Sequence, residues 1–585
     1  MCPQLTPSEK SLCVKKGGED RPCAGYAPSI WSYGYIQSLN SNHHPDDASD
    51  DIKMKELFEA ATNQMTSHDK GGAYQLGKIE LIDHVLKLGL GRYFETAVSI
   101  GLDNLCRRQR SVHENDLYTT ALHFRLLRQN GREASQDMFR CHMDQNGRFK
   151  TSLCKDIKGL LALYEASYLA CDGEETLAEA REFSALHLKN HLSRNLTGKE
   201  DSLAVQISYA LELPSHRRLQ RLEARRYIEE KQYATKNGKH LALIELARLN
   251  YNMVQRVLQS DLQDMSRLLA RIRLNRAFTM ILRWWEETGL ARQLSFARDR
   301  LVECFFWAAG LVPEPESRQC RKELTKLAVL VTIIDDVYDV YGTLDELELF
   351  TQAVQRWDLN SVRDLPYCMN LCFLALHKTI NQMADSIFKE KGVNVVPHLA
   401  RAWADLCNAF LVEAKWSHEK HIPSFDDYQK TGVVSSSGPM LFLHAYCLSQ
   451  PISKNTLESF QDDLADIIHS SSMIFRLSND LVTSRAELAR GKSANSVVCY
   501  MKDTDASEAS ATAHMRHLIN KSWLKMNCVK SNKSLATKSF AEIFMNLGRI
   551  CQCVYQYGDA HSAPDTRLKS RIMSLLINPI RPLRD

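Results

Sequence analysis

Apolar residues recur at helical spacing along this chain, whereas patterns typical of β-strands are nearly absent. Ile157, Leu160, Leu161 and Tyr164 form one such apolar stripe. The Asn-Gly pairs lack the alternating apolar flanks of a hairpin, so we interpret them as helix ends or turns between helices. The 16 Pro and 25 Gly among 585 residues fall below the usual shares of about 5% and about 7%. Because these residues break helices, the sequence predicts an all-α fold.

The length of the chain predicts more than one domain, since 585 residues exceed what one ordinary hydrophobic core serves. Composition shifts near residue 250, from a basic, Leu-rich first half to a second half with nearly all the unusual chemistry. We therefore predict a disordered segment over 1–20, an N-terminal helical domain over 21–252 and a catalytic domain over 253–585. We find no internal repeat at solenoid periods, which counts against an armadillo-like scaffold.

Charge and hydropathy exclude several kinds of partner. The net charge is +4, and the densest basic stretch, 216–226, alternates with Leu and Glu. We interpret it as a solvated helix face and expect no nucleic-acid partner. The longest apolar run, about 327–334, is far shorter than the ~20 residues of a membrane helix, so we expect no membrane partner. The 17 Cys form no CxxC pair, which favours reduced thiols over disulfides or a zinc site.

Three carboxylates follow a hydrophobic run within residues 331–339, at Asp335, Asp336 and Asp339. Asp335 and Asp339 are one helical turn apart and therefore share a helix face. Clustering like charges beside an apolar run is costly unless a cation neutralises them. Mg²⁺ commonly joins a few carboxylates to substrate phosphates. A helix end turning into solvent before Gly342 is the alternative interpretation.

A second set of oxygen ligands recurs at Asn479, Thr483 and Glu487, along about 12 Å of one helix face. An amide, a hydroxyl and a carboxylate in register suit a Mg²⁺ ion held more weakly than by three acids. Polar helix faces are common, so the pattern is weak alone and gains weight from the acids in the same half of the chain. Arg476 lies one turn before Asn479.

The triplet Arg298-Asp299-Arg300 brings two guanidinium groups close together in the sequence. Near a metal-bound diphosphate, arginines would neutralise the leaving group through bidentate contacts. In isolation, such a triplet is more typical of a surface charge cluster.

Taken together, these motifs resemble those of plant class I terpene synthases. The aspartate-rich stretch 335–339, the stretch 479–487, the triplet 298–300 and Arg283-Trp284-Trp285 occur in the order and spacing of that family. The resemblance runs from about Arg21 to the end and is closest to the angiosperm monoterpene branch. It implies a C-terminal catalytic barrel of helices and a relict N-terminal helical domain.

The resemblance also implies a role for each motif residue. Three Mg²⁺ ions, with Mn²⁺ as an alternative, would be held by oxygen ligands, two by Asp335, Asp336 and Asp339 and one by Asn479, Thr483 and Glu487. The substrate would be bound by the residues that face its diphosphate, namely Arg298, Asp335, Asp339, Arg476 and Asn479. Trp307 and Tyr555 would line the pocket and stabilise a carbocation through their aromatic faces. Core packing explains either aromatic alone equally well.

Two further segments fit this chemistry. Pro439 interrupts a helical stretch at 435–439 and has no N–H for the carbonyl of Ser435, so freed carbonyl dipoles could face the cation. The segment 557–561 resembles the family's loop that closes over bound substrate and excludes water.

The sequence departs from the family pattern in three places. Family members that cyclise geranyl diphosphate usually carry two arginines eight residues before an N-terminal tryptophan, whereas this chain has Arg21-Pro22 before Trp31. Efficient cyclisation is therefore in doubt. Asn495 replaces a frequent lysine, for which Lys492 could compensate, and Ala328 replaces a frequent asparagine.

The activity implied by the resemblance is ionisation of geranyl diphosphate and conversion of the carbocation to a monoterpene olefin, alcohol or diphosphate ester. The enzyme would be a lyase or a related isomerase, acting as a monomer or homodimer. The alternatives are a sesquiterpene synthase acting on farnesyl diphosphate and a non-catalytic helical scaffold. Acidic residues near the start argue against an intact transit peptide, so we expect a plastid location if one was trimmed and a cytoplasmic one otherwise.

Overall fold

The computed structural model describes residues 26–39, 47–66, 72–107, 116–194, 202–234, 240–270, 294, 296–489, 494–530 and 535–582. Within these ranges the only β contact is an isolated bridge between Met143 and Phe149. The all-α class predicted from the sequence is confirmed. None of the described helices is long and apolar enough to cross a membrane.

The helices of the first half, in chain order, are α1 Tyr33–Ser38, α2 Asp47–Thr66, α3 Gly72–Lys87, α4 Glu95–Arg107, α5 Leu117–Gln129, α6 Ile157–Ser167, α7 Glu175–Arg194, α8 Ser202–Glu212, α9 Gln220–Ala234 and α10 Leu241–Ala270. Those of the second half are α11 Leu301–Leu311, α12 Arg318–Asp336, α13 Leu344–Arg356, α14 Tyr367–Lys391, α15 Val396–His418, α16 Phe425–Ser435, α17 Gly438–Ser449, α18 Lys454–Glu458, α19 Phe460–Ala489, α20 Ser496–Thr504, α21 Glu508–Lys530, α22 Leu535–Val554 and α23 Thr566–Ile572.

Local sequence signals explain where helices begin and end. The Asp116 side chain accepts a hydrogen bond from the N–H of Thr119 at 2.8 Å, which caps the start of α5. Asn130 ends α5, and Gly131 follows at φ 67°, a left-handed conformation that favours glycine. Gly147 adopts φ 72° in a turn. Asn130-Gly131 therefore ends a helix as predicted, whereas Asn146-Gly147 forms the turn enclosed by the antiparallel bridge between Met143 and Phe149. The third pair, at 237–238, lies outside the described residues.

Two hydrophobic cores meet along α10, whose 30 residues span about 45 Å. Leu243, Leu246 and Tyr251 belong to a core built by the preceding helices. Val254 and Leu258 belong to the core of the helices that follow. The change from one core to the other thus falls within one continuous helix, close to residue 252, and the domain limits themselves stay a prediction.

Each end of the described chain packs on the opposite core. Trp31 and Ile36, near the start, belong to the core of the second half. Ile580, near the end, belongs to the core of the first half. The N-terminal segment therefore lies against the half of the molecule that contains the candidate site.

The prediction that the basic stretch 216–226 is a solvated helix face is wrong at the start of the stretch. His216, Arg217 and Arg218 are all less than 9% exposed. The guanidinium of Arg217 lies over the rings of Tyr168 and Trp523, at 4.8 and 5.4 Å from their centroids. These aromatic faces, one from each half of the chain, stabilise the buried cation, so the stretch belongs to the contact between the two halves.

Candidate active site

The aspartate-rich stretch lies where α12 passes into a π-helical turn, Val337–Tyr341. An ion pair between Arg321 and Asp261, both fully buried with an N–O distance of 2.6 Å, fastens α12 to α10. Single π turns inside helices are frequent at functional sites. Asp335 from the helix and Asp339 from the π turn line the same cavity. We call α12 and this turn the first wall.

Arg298 binds two aspartates of the first wall. Its backbone N–H and its Nε donate to Asp336 Oδ2 at 2.8 and 3.1 Å. Its Nη2 donates to Asp335 Oδ2 at 2.5 Å, and its Nη1 donates to Ser562 Oγ at 2.8 Å. Burial opposes the guanidinium charge, but Asp335 and Asp336 outweigh it and raise the pKa of Arg298 well above its ordinary value. The positively charged guanidinium of Arg298 is therefore held at the edge of the cavity.

Asp336 has a different environment from the other two aspartates. Its side chain is fully buried beside Arg298 and is not part of the cavity lining. Burial raises its pKa above the usual value, although the Arg298 guanidinium opposes that change. The structure thus places Asp336 as the partner that holds Arg298. Its role as a metal ligand, which the family resemblance implies, stays a prediction.

The opposite side of the cavity, which we call the second wall, is α19 with Arg476, Asn479 and Thr483. Arg476 Nε lies 2.8 Å from Asp480 Oδ1, and Asp480 is fully buried. Arg476 Nη2 donates to the hydroxyl of Tyr428, which in turn donates to Asp480 Oδ2 at 2.9 Å. The network fixes the Arg476 guanidinium beside the cavity, in the same way that Asp336 fixes Arg298.

The hydroxyl of Thr483 is buried and has no hydrogen-bond partner among the described residues. An unpaired buried hydroxyl costs free energy, so a cation coordinated by its oxygen would relieve this cost. The side chain of Glu487 lies outside the described residues. In the described part of the chain, no three His, Cys, Asp or Glu side chains converge on one point. Substrate phosphates commonly complete the coordination shell of a Mg²⁺ ion that one or two carboxylates hold.

Aromatic rings form the apolar side of the cavity. Tyr555, Phe475 and Phe410 line it, and burial raises the pKa of Tyr555 well above its ordinary value. Trp307 packs behind them, with ring centroids 5.0 Å from Phe475 and 5.9 Å from Tyr555. Trp307 itself is not in the cavity lining, so its contact with a ligand would be indirect in this conformation.

The predicted helix break separates α16 from α17 at Ser436 and Ser437. Ser437 has φ 66°, a left-handed conformation that is strained for a residue with a Cβ. Ser435, Ser436 and Ser437 all line the cavity. The Ser435 hydroxyl donates to Glu413 Oε1 at 2.6 Å, and Glu413 lies 3.5 Å from Arg476 Nη1. Glu413 of α15 therefore links the helix break to the second wall.

Arg300 ties two chain segments to the edge of the cavity. Its Nη1 and Nη2 each donate to the carbonyl of Ala27 at 3.1 Å. Its Nε and Nη2 also donate to the carbonyls of His561 and Ser562, at 3.1 and 2.8 Å. His561 belongs to the predicted closing loop, and burial together with Arg298 lowers its pKa to about 3. The imidazole of His561 is thus uncharged, and its loop is fastened near the first wall.

All of these groups surround one cavity of about 150 Å³. It brings together most of the residues selected from the sequence, namely Arg298, Asp335, Asp339, Arg476, Asn479, Thr483 and Tyr555. Two arginines and a row of oxygen atoms thus face aromatic rings across a small space. Such an arrangement can bind an anion together with divalent cations at one side and an apolar chain at the other.

Comparison with known proteins identifies the family. Residues 30–211 match the terpene synthase N-terminal domain, and residues 286–525 match the metal binding domain of the terpene synthase family. A chloroplastic isoprene synthase from Populus tremuloides is 47% identical over 96% of this chain and 90% of its own length. The protein belongs to the terpene synthase family.

Two solved terpene synthases share the fold over nearly the whole chain. Grey poplar isoprene synthase, in complex with three Mg²⁺ ions and dimethylallyl-S-thiolodiphosphate, has a TM-score of 0.83 and 45% identity and covers 95% of this chain and 100% of its own. Limonene synthase with 2-fluorolinalyl diphosphate has a TM-score of 0.86 and 35% identity and covers 96% and 100%. The predicted family and enzyme class are confirmed.

Several residues of this terpene synthase site were missed by reasoning from the sequence. Tyr26, Phe410, Glu413 and Phe475 line the cavity, and Tyr428 supports Arg476. Phe475 lies directly before Arg476, so its position beside a motif was a usable signal. Glu413 and Tyr428 lie on separate helices without any local pattern, and only tertiary packing brings them to α19.

Asn495 has a structural role in this terpene synthase. It is 1% exposed, and its Oδ1 accepts from the N–H of Val498 at 3.0 Å, which caps α20. Its Nδ2 donates to Ser484 Oγ on α19 at 2.9 Å. The asparagine thus fastens α20 to the second wall. Arg283, Trp284, Trp285, Lys492 and Arg21-Pro22 lie outside the described residues.

A larger cavity, of about 1,050 Å³, lies mainly in the first half of the terpene synthase. Its charged groups largely compensate one another. Arg125 and Asp83 are 2.5 Å apart, and Lys158 and Glu80 are 3.3 Å apart. The smaller cavity, in contrast, directs arginines and oxygen ligands towards one space, which makes it the better candidate for chemistry.

Proposed function

We propose that this terpene synthase ionises geranyl diphosphate with the help of Mg²⁺ and converts the carbocation to monoterpene products. The observation that carries the proposal is the cavity between the two walls. Its polar side presents two arginines and several oxygen ligands, and its other side presents aromatic rings. A prenyl diphosphate has the matching polarity, with a charged head and an apolar chain.

The donor set of the cavity fits hard divalent cations. Asp335 and Asp339 on the first wall, with Asp336 implied by the motif, and Asn479, Thr483 and Glu487 on the second wall, would hold them. Three Mg²⁺ ions are proposed by analogy with the grey poplar enzyme, with Mn²⁺ as an alternative. When bound, the ions neutralise the diphosphate and act as Lewis acids on its oxygens.

Arg298 and Arg476 contribute to ionisation from opposite sides of the cavity. Each guanidinium is already oriented by a buried aspartate, Asp336 or Asp480, so little rearrangement is needed when charge develops on the leaving group. Planar guanidinium groups bind phosphate oxygens in a bidentate way. No protein nucleophile is needed, because loss of diphosphate is itself the bond-breaking step.

The aromatic side of the cavity would protect the resulting carbocation. The faces of Tyr555 and Phe475 stabilise positive charge without offering a reactive lone pair. The carbonyls around the break at Ser435–Ser437 would add dipoles of the right sign. The loop containing His561 and the segment containing Ala27, both fastened by Arg300, would exclude water until the cation loses a proton or captures a nucleophile.

The relatives bear on the length of the substrate's prenyl chain. The similarity to limonene synthase supports a ten-carbon substrate. The high identity to isoprene synthases favours a second candidate, the five-carbon dimethylallyl diphosphate with isoprene as product.

The relatives' chloroplastic location supports a plastid location for this enzyme, with the cytoplasm as the alternative. A monomer or a homodimer stays a prediction. The prenyl diphosphate is the proposed partner.

Product analysis with the three candidate substrates tests the proposal. The purified chain is incubated with dimethylallyl, geranyl or farnesyl diphosphate and Mg²⁺, and released diphosphate and volatile products are measured. We expect the highest kcat/KM and monoterpene products with geranyl diphosphate. Isoprene formed from dimethylallyl diphosphate at a higher kcat/KM would establish the second candidate instead. Diphosphate release that does not depend on Mg²⁺ would contradict both.

A further inference from the structure

The N-terminal segment 26–32 is fastened beside the cavity at two points, to Arg300 and to Glu303. The carbonyl of Ala27 accepts both hydrogen bonds from Arg300 described above. Trp31 is 6% exposed, and its indole Nε1 donates to Glu303 Oε1 at 3.0 Å. Because both anchors are largely buried side chains of the catalytic half, the residue before Ala27 is held close to the cavity.

That residue, Tyr26, contacts the polar side of the cavity through its ring. The ring centroid lies 5.0 Å from the Cζ of Arg298, within the range of a cation–π contact. Tyr26 also belongs to the cavity lining, next to Asp335 and Asp339.

We propose that Tyr26 is a positioning residue for the reaction, which holds the Arg298 guanidinium in the orientation that binds diphosphate. The ring of Tyr26 supports the guanidinium, whose Nε is bound by Asp336. The inference rests on the proposed function, because it assumes that Arg298 contacts the diphosphate of the substrate.

The ring of Tyr26 and the carboxylate of Asp336 both hold the same arginine. Asp336 receives the backbone N–H and Nε of Arg298 and is fully buried, so a shift of this carboxylate would move the guanidinium. A cation–π contact in a partly desolvated site is stronger than one in water. Without Tyr26, Arg298 would keep its ion pairs but lose the ring that limits its movement towards the N-terminal segment.

A simple packing role for Tyr26 makes a different prediction. If its ring only closed the cavity against water, any apolar side chain of similar size would serve. Leucine would then replace tyrosine as well as phenylalanine does. The positioning role requires an aromatic face, so phenylalanine must preserve more function than leucine.

The experiment measures diphosphate binding directly with the full chain. Isothermal titration calorimetry with inorganic diphosphate and Mg²⁺ is performed on the parent and on Tyr26→Phe, Tyr26→Leu and Tyr33→Leu. Tyr33 is the matched control, because it follows directly after this segment but is 39% exposed and does not line the cavity. Thermal unfolding of each variant accompanies the titrations.

We expect the Kd for diphosphate to rise about fivefold in Tyr26→Leu, less than twofold in Tyr26→Phe, and not at all in Tyr33→Leu. The same substitutions are made in an Arg298→Lys background, where the planar guanidinium is gone. There Tyr26→Leu should have no additional effect, since coupled residues are not additive. Equal Kd values for Tyr26→Leu and Tyr26→Phe, or an undiminished effect of Tyr26→Leu beside Arg298→Lys, would overturn the inference.

The inference can still be tested if Tyr26→Leu does not fold. If Tyr26→Leu is unfolded, Tyr26→His supplies another aromatic ring and Tyr26→Met a flexible apolar chain, and the same comparison is made between them. A parent that binds diphosphate but releases none from any prenyl diphosphate would contradict the proposed function alone. A parent that turns over substrate normally while Tyr26 variants bind diphosphate normally would contradict this inference alone.

Discussion

The first wall and the second wall each contain a buried aspartate that holds an arginine beside the cavity. On the first wall, Asp336 holds Arg298, and the cavity-facing ligands Asp335 and Asp339 are acids. On the second wall, Asp480 holds Arg476, and the described cavity-facing ligands Asn479 and Thr483 are neutral. The two walls therefore share the pairing of a buried aspartate with an arginine but differ in the charge of their candidate metal ligands.

The two walls also differ in whether an arginine is already paired with a candidate metal ligand. Arg298 pairs with Asp335, which is also a candidate ligand, so any cation must compete with the arginine for that carboxylate. Arg476 pairs with Asp480 and Glu413 and leaves the oxygens of Asn479 and Thr483 to a cation. We infer that the acids of the first wall dominate catalysis and that the second wall adjusts the requirement for metal.

The largest expected effect is on the first wall. Asp335→Ala should reduce kcat at least ~100-fold, because charge on the leaving group loses a stabilising partner. The fold should persist, since the Asp335 side chain is 31% exposed and Arg298 keeps Asp336. Steady-state kinetics and thermal unfolding check this, with the exposed Asp345→Ala as the control. Near-normal turnover at limiting Mg²⁺ would contradict the metal site.

The second expected effect tests whether the two buried aspartates have equivalent roles. Asp336→Asn and Asp480→Asn should each lower kcat/KM about tenfold, because the arginine loses its main orienting charge. Each should also lower the free energy of unfolding by up to about 3–5 kcal/mol, since a buried charge loses its partner. Urea unfolding and steady-state kinetics provide the measurements. An unchanged unfolding midpoint in both variants would show that neither ion pair holds its arginine.

The third expected effect concerns metal affinity on the second wall. Thr483→Val should raise the Mg²⁺ concentration for half-maximal rate several-fold, because an oxygen ligand is lost. The same change should stabilise the fold by about 1 kcal/mol, since it removes an unsatisfied buried hydroxyl. Thr325→Val is the control, because the hydroxyl of Thr325 donates to the carbonyl of Arg321 at 2.8 Å and lies outside the cavity. A stability change of the same sign in both variants would contradict the assignment.

Glu487→Gln should likewise raise the Mg²⁺ requirement, since Glu487 is the one carboxylate of the Asn479, Thr483 and Glu487 set. Its measurement is the Mg²⁺ dependence of the initial rate at saturating substrate. A curve that overlays that of the parent would show that Glu487 does not hold the metal.

The smallest expected effect is on product distribution, and it concerns Pro22, which lies outside the described residues. Pro22→Arg should raise the ratio of cyclic to acyclic products from geranyl diphosphate, because a second guanidinium would hold diphosphate while it migrates to the tertiary carbon. Linalyl diphosphate, which bypasses this migration, should raise the ratio more in the parent than in the variant. Product analysis by gas chromatography measures both ratios.

Unchanged ratios with both substrates would favour the competing view that the segment mainly closes the cavity, with Trp31 as its anchor. The hydrogen bond from Trp31 to Glu303 makes that view concrete. On that view, Trp31→Ala lowers turnover and increases the share of water-captured alcohols.

The sequence alone determined the helical class and the faces of the two motif helices. Scarce Pro and Gly and the period of apolar residues act through local backbone geometry, which needs no knowledge of the fold. The spacing of Asp335 and Asp339, and of Asn479 and Thr483, sets which side chains share a face for the same reason. All four line the cavity.

Only the tertiary structure decided which charges are compensated and by what. Asp336 has the same local spacing signal as its neighbours, yet it is buried against Arg298, which comes 38 residues earlier in the chain. Arg217 belongs to a basic stretch that reads as solvated, yet it lies between rings from both halves of the molecule. Tyr26 carries no motif signal and reaches the cavity because Trp31 and Ala27 fasten its segment. Burial and pairing depend on contacts between distant parts of the chain, and local periodicity contains no information about them.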